Sequence, residues 1–239
     1  EMLRTIWWYT YFWLYQVYSL GYWFRLKYLK LTGQNDKAQE YMNNIAQRWA
    51  QRLIRQTGSE IIVEGRENMP EGPVLLVSNH QGSFDIPLLF AFLEKPIAFV
   101  AKWELRYLPL VSTWMKEIRC IFIKRSNLRQ TLRAYKNAGQ VFDAGQSLVV
   151  FPEGTRSQSS QLGDFKRGSL KIGLREEVPI VPVAIDGSYK IKEANNGMIK
   201  PSEVKLTINE PIYPEQLSEK EKKGLVEEVK NKISKAVRQ

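Results

Sequence analysis

Val74-Leu75-Leu76-Val77-Ser78-Asn79-His80-Gln81-Gly82-Ser83-Phe84-Asp85 joins an unbroken apolar run to a polar turn, and the turn to a segment of helical character. Four consecutive apolar residues bounded by polar ones read as a strand covered on both faces. Phe84–Leu93 then has helical length and periodicity. Similar runs recur along the chain: Ile61-Ile62-Val63, Ile97-Ala98-Phe99-Val100, Ile121-Phe122-Ile123, Leu148-Val149-Val150-Phe151, Ile180-Val181-Pro182-Val183 and Val204–Ile208. Helical patterns over Asn127–Ala144 and Phe165–Glu177 separate them, and a charged helix is predicted near Ser218–Val237. This alternation predicts an α/β fold, with a mostly parallel central sheet covered by helices. Ligands of such sheets gather beyond the carboxyl ends of the strands, so the residues after each run are the places to look for chemistry.

The 239 residues, 44% of them hydrophobic, suit one globular domain with a small appendage and exclude disordered or collagen-like chains. Thirty-five Lys and Arg against 25 Asp and Glu give a net charge of +10, which favours an anionic partner. A single Cys (Cys120) cannot close an intrachain disulfide, and with a single His (His80) it cannot assemble a four-ligand zinc site. No metal is therefore expected. Twelve of the 28 aromatic residues lie within residues 7–28, and no charge interrupts Thr5–Phe24. As a helix those residues would reach roughly 30 Å, enough to cross a bilayer. Their Trp and Tyr content favours instead a helix lying in or dipping into one leaflet, with Arg25, Lys27 and Lys30 among anionic headgroups. Either geometry places the rest of the chain at the cytoplasmic face. The segment lacks the small-residue cleavage site of a signal peptide. A second helix, capped near Asn35 or Asp36, completes a hairpin turning at Leu31-Thr32-Gly33-Gln34, with Gly58 closing it. Residues 1–58 are thus expected to form a two-helix membrane-binding segment ahead of an α/β domain at 59–239.

Two strand ends carry chemistry. In Asn79–Asp85, the four residues between His80 and Asp85 include Gly82 and allow a tight turn. Asp85 would then accept the Nδ1 proton of His80 and leave Nε2 free to take a proton from a hydroxyl. No Gly-x-Ser-x-Gly elbow supplies an enzyme nucleophile, so that hydroxyl belongs to a substrate. In Phe151-Pro152-Glu153-Gly154-Thr155-Arg156-Ser157, Gly154 permits close backbone approach, Thr155 and Ser157 offer hydroxyls, and Arg156 can hold two phosphate oxygens. Lys102, and Lys124 with Arg125, follow other strands and add cations to the same edge. No Walker loop occurs.

These blocks, in this order, resemble the glycerolipid acyltransferase family. Asn79–Asp85 is similar to its His-x-x-x-x-Asp block, Ile121–Arg125 with Lys102 to its second block, Phe151–Ser157 to its acceptor-binding block and Val178-Pro179-Ile180-Val181-Pro182-Val183 to its proline-containing fourth. Phe165–Ser169 also fits. Arg119-Cys120 and Lys124 depart from the family pattern. The fourth block carries no catalytic role here, since a Pro-flanked apolar run also suits a sheet edge.

The resemblance covers residues 60–210 and implies acyl transfer from an acyl carrier protein or coenzyme A thioester to the sn-2 hydroxyl of lysophosphatidic acid, giving phosphatidic acid. It implies His80 as base, Asp85 as its orienting partner, and Arg156, Glu153, Gly154, Thr155, Lys102 and Arg125 at the acceptor phosphate. Glu153 would orient Arg156 or bond the acceptor's glycerol. Backbone N–H groups around Gln81–Ser83 would face the oxyanion, and Ile86, Leu88, Leu89 and Phe90 would line an acyl tunnel or fill the core. No bound cofactor is implied. The expected partners are the lysolipid, the acyl thioester and anionic membrane lipids at the cytoplasmic face of the inner membrane. Alternatives are an acyltransferase acting on glycerol 3-phosphate or another lysolipid, and a non-catalytic basic protein on anionic lipids. Nucleic-acid binding ranks last, because the aromatics do not alternate with basic residues.

Overall fold

Each apolar run becomes a strand of one sheet in the computed structural model, which describes residues 1–124, 129 and 134–237. The strands are β1 (Glu60–Glu64), β2 (Leu75–Ser78), β3 (Ile97–Lys102), β4 (Ile121–Ile123), β5 (Ser147–Val150), β6 (Ile180–Asp186) and β7 (Glu203–Ile208), in the order β1-β7-β6-β2-β5-β3-β4. Strands β2 to β6 run the same way, with Leu75 opposite Leu148 on one side and Ile180 on the other. Only β7, antiparallel to β6, and β1 beside it run in reverse. Every residue of β2, β5 and β6 is buried, which is why those runs are apolar without alternation.

Helices cover both faces. Leu76, Val149, Val181 and Val183 face a layer made by α1 (Met2–Leu31), α2 (Asn35–Arg55) and α3 (Asp85–Phe92). Leu75, Val77, Leu148 and Val150 face α5 (Ala138–Asp143), α6 (Lys171–Glu176) and α7 (Glu219–Ala236), while α4 (Val111–Glu117) follows β3. The mostly parallel, helix-covered sheet agrees with expectation. Local details differ. Helix α2 begins at Asn35, with Gln34 in the cap position. Within 165–177 only α6 is an α-helix; the chain before it makes a turn, with Ser169 N–H donating to the Lys166 carbonyl at 3.2 Å. The segment 127–144 falls partly outside the described residues. Strand β6 is interior instead of an edge. Pro182 is tolerated because the β6–β7 ladder ends at Val183, and the Pro182 carbonyl accepts from Asn209 on the side where its missing N–H would point.

The aromatic helix α1 has two faces. Trp8, Tyr15 and Leu26 are buried, with Trp8 edge-on to Phe84 and its indole N–H donating to the Leu53 carbonyl at 3.1 Å. Trp7, Trp13, Leu14, Val17, Tyr18 and Phe24 are exposed. No helix among the described residues is long and apolar enough to cross a membrane. Lys27 and Lys30 are not free headgroup ligands: both pair with the Glu117 carboxylate of α4, at 2.7 and 2.5 Å, and the Trp23 indole donates to the same group. Burial alone would push the Glu117 carboxyl up, but the hydrogen bonds and charge of the two lysines outweigh it and hold the group below the usual carboxylate range.

Candidate active site

Because β2 to β6 share a direction, the segments leaving β2, β3 and β5 open at one edge, and His80, Lys102 and Arg156 line one cavity there. Asn79 extends the β2–β6 contact with its side chain: Nδ2 donates to the Ile185 carbonyl and Oδ1 accepts from the Ile185 N–H, both at 2.8 Å. That clamp fixes the backbone just before His80.

The imidazole Nδ1 lies 2.6 Å from Asp85 Oδ2. Asp85 is fully buried at the start of α3, and its carboxylate also accepts from Gly82 N–H at 2.9 Å and from the Ser188 hydroxyl. Those donors stabilise the anion out of water and leave Nδ1–H as the group it orients. His80 then presents Nε2 as an acceptor. Its ring stacks on Phe151, centroids 4.0 Å apart and planes 17° apart, so the plane of the base is set by the first residue of the loop after β5.

The two loops are laced together. Glu153 is buried and accepts from His80 N–H (2.8 Å) and Gly163 N–H (2.9 Å), while Ser157 N–H donates to the His80 carbonyl and Gln158 N–H to that of Gln81. Burial pushes the Glu153 carboxyl up, and the two N–H donors offset part of that. Its oxygens are thus spent on backbone and it does not orient Arg156. That side chain, about half exposed, instead meets Glu193 Oε1 at 3.4 Å. Gly154 adopts φ +74°, and Thr155 and Arg156 are exposed at the cavity. Lys102 is exposed, 3.9 Å from Glu104. Arg125 lies outside the described residues. The N–H groups of Gly82 and Ser83, considered for an oxyanion, are engaged by Asp85 and Glu193.

The cavity encloses ≈ 580 Å³, within the range of about 300 to 1,000 Å³ usual for organic ligands. Most of its lining is apolar, contributed by α1 (Tyr15), α2 (Trp49), β3 (Phe99) and α4 (Trp114). Of the proposed tunnel residues, Ile86 and Phe90 line it, whereas Leu88 and Leu89 are fully buried in the core. Cys120 also lines it, and burial pushes its thiol up to about 12. Ser188 and Glu193 were not singled out from sequence. Ser188 follows β6 and obeys the strand-end rule, but Glu193 stands seven residues beyond that strand with no motif to mark it.

A buried carboxylate, the histidine it orients, an adjacent guanidinium and a lipid-sized cavity define the layout of an enzyme that activates a hydroxyl of an amphiphile. Comparison with known proteins agrees. The family model named Acyltransferase matches residues 60–186. A Mycoplasma pneumoniae protein named "Probable 1-acyl-sn-glycerol-3-phosphate acyltransferase" is 34% identical over 193 residues, 74% of this chain and 71% of that one. The 1-acyl-sn-glycerol-3-phosphate acyltransferase of Borreliella burgdorferi is 32% identical over 74% of this chain and 72% of its own. Among solved structures, the 1-acyl-sn-glycerophosphate (LPA) acyltransferase PlsC from Thermotoga maritima superposes with a TM-score of 0.87 at 31% identity, covering 99% of this chain and 94% of that chain. The chain belongs to the acyltransferase family.

Proposed function

We propose that the protein transfers a fatty acyl group from an acyl thioester to the sn-2 hydroxyl of lysophosphatidic acid, releasing a free thiol and phosphatidic acid. The observation that carries this reading is the 2.6 Å contact of His80 Nδ1 with buried Asp85, made beside a cavity that Arg156 also lines. His80 Nε2 takes the proton from the acceptor hydroxyl as the oxygen attacks the thioester carbonyl. The tetrahedral intermediate then collapses, the C–S bond breaks, and the imidazolium returns its proton to the departing thiolate. Asp85 holds the tautomer and stabilises the transient imidazolium. No acyl-enzyme is needed. Arg156, with Thr155, Gly154 and Lys102, seats the acceptor phosphate, and Glu153 fixes the loop that presents them. The apolar cavity takes an acyl chain. The donor is carried on acyl carrier protein or coenzyme A, and the exposed aromatic row of α1 rests on anionic lipid at the cytoplasmic face of the inner membrane.

The test is acyl transfer by purified, detergent-solubilised protein given labelled lysophosphatidic acid, glycerol 3-phosphate or other lysolipids, with each donor. Transfer to lysophosphatidic acid that falls about 10²- to 10⁴-fold in His80→Ala is expected. Preference for another acceptor, or transfer indifferent to His80, overturns the reading.

A further inference from the structure

Through its carboxylate, Glu193 touches both the turn after His80 and the Arg156 side chain. Its side chain is 7% exposed. Oε1 accepts from Ser83 N–H (2.8 Å) and Ser83 Oγ (2.9 Å), in the turn between His80 and Asp85, and lies 3.4 Å from Arg156 Nη1. Oε2 is buried without a hydrogen-bond partner. The turn is shaped around this group, for a Cβ at Gly82 would come within 2.6 Å of Oε2. A buried carboxylate left half-satisfied is costly unless its charge is used. The cation it meets is Arg156.

Resting on the reading of Arg156 as the phosphate seat, we propose that Glu193 is a positioning residue for Arg156, holding the guanidinium at a set distance from the His80 turn before the acceptor arrives. The contact uses a single N–H of the fork, so the others remain for phosphate oxygens. Because Oε1 also holds Ser83, the carboxylate measures the spacing between base and phosphate seat. A lone arginine, half exposed on a loop, would sample many rotamers, and ordering it in advance removes that cost from acceptor binding.

The test is a double-mutant cycle on the full chain, reading acceptor KM, donor KM and kcat for wild type, Glu193→Gln, Arg156→Ala and the double variant, with melting curves for each. Glu193→Gln is expected to raise acceptor KM about three- to tenfold, to leave donor KM unchanged, and to add nothing in the Arg156→Ala background. Equal effects in both backgrounds, or a fall in kcat with acceptor KM unmoved, would mean that Glu193 merely braces Ser83, and the proposal is overturned. If Arg156→Ala alone leaves acceptor KM at the wild-type value, the phosphate seat itself is misassigned and this proposal falls with it. Should Glu193→Gln fail to fold, Glu193→Asp keeps the charge but shortens its reach by one methylene, and enters the same cycle with the same expectations.

Discussion

At the residue scale the site depends on how Asp85 is solvated. A carboxylate with no exposed surface would be intolerable alone, yet it is met by Gly82 N–H, the Ser188 hydroxyl and His80 Nδ1. Asp85→Asn should therefore keep the fold while allowing the wrong imidazole tautomer. Turnover is expected to fall by about 10²- to 10⁴-fold with little change in acceptor KM, as measured by steady-state kinetics. Ser188→Ala removes one donor to Asp85 and leaves the others, so a loss of about tenfold or less is expected. A loss as large as that of His80→Ala would contradict this ranking. Cys120 offers a chemical check on the cavity wall. Cys120 is partly exposed on the cavity wall but burial pushes its thiol up to about 12, so at pH 8 iodoacetamide should alkylate the native protein more slowly than the unfolded chain, as read by mass spectrometry. The His80–Asp85 couple and Arg156 were legible from their residue types and their place after strands. Glu193 was not, since the contact that gives it meaning, to Ser83, spans 110 positions of chain.

At the element scale, β2, β5 and β6 were readable because burial on both faces leaves no alternation to misread. Helices α2 and α7 were readable for a different reason, an apolar stripe in one and a charged run in the other, and the structure adds a reciprocal cap to α7, where Ser218 Oγ accepts from Glu221 N–H and Glu221 from Ser218 N–H. The helical pattern over 165–177 overran the element, because residues before α6 form a turn closed by Ser169 N–H on the Lys166 carbonyl. Packing at α6 gives a direct test. A Cβ on Gly173 would lie 2.7 Å from Ile180 Cγ1 and 3.0 Å from Leu75 Cδ2, so Gly173→Ala should overpack the helix–sheet seam. A loss of about 1 to 3 kcal/mol in chemical denaturation is expected.

The clamp of α1 on α4 gives a pH test. Glu117 is held below the usual carboxylate range by Lys27 and Lys30, so its contribution is present above the unfolded value of about 4.3 and is lost as pH falls through the lower folded value. The difference in melting temperature between wild type and Glu117→Gln should thus be constant near pH 7 and close in acid. A gap that widens in acid would refute the sign.

At the scale of the whole molecule, the basic composition was a poor guide to where charge acts. Of the three cations after the aromatic segment, two share the single Glu117 carboxylate, and Arg25 lies over the Tyr41 ring. What α1 offers outward is instead an apolar row. Replacing Leu14 and Val17 by Ser is expected to lower partitioning onto anionic vesicles, measured by cosedimentation, without lowering the melting temperature, because both side chains are exposed. A fall in melting temperature would assign the row to the fold.

The same α1 turns Tyr15 and Ser19 into the cavity while its other side stays bare. One helix thereby walls the cavity and, if its bare side rests on lipid as proposed, also sets the cavity beside that surface. An enzyme so placed would meet its acceptor in two dimensions. Its rate should follow the mole fraction of acceptor in the lipid sheet, and dilution with inert lipid should slow it even when the total amount of acceptor in the tube is unchanged.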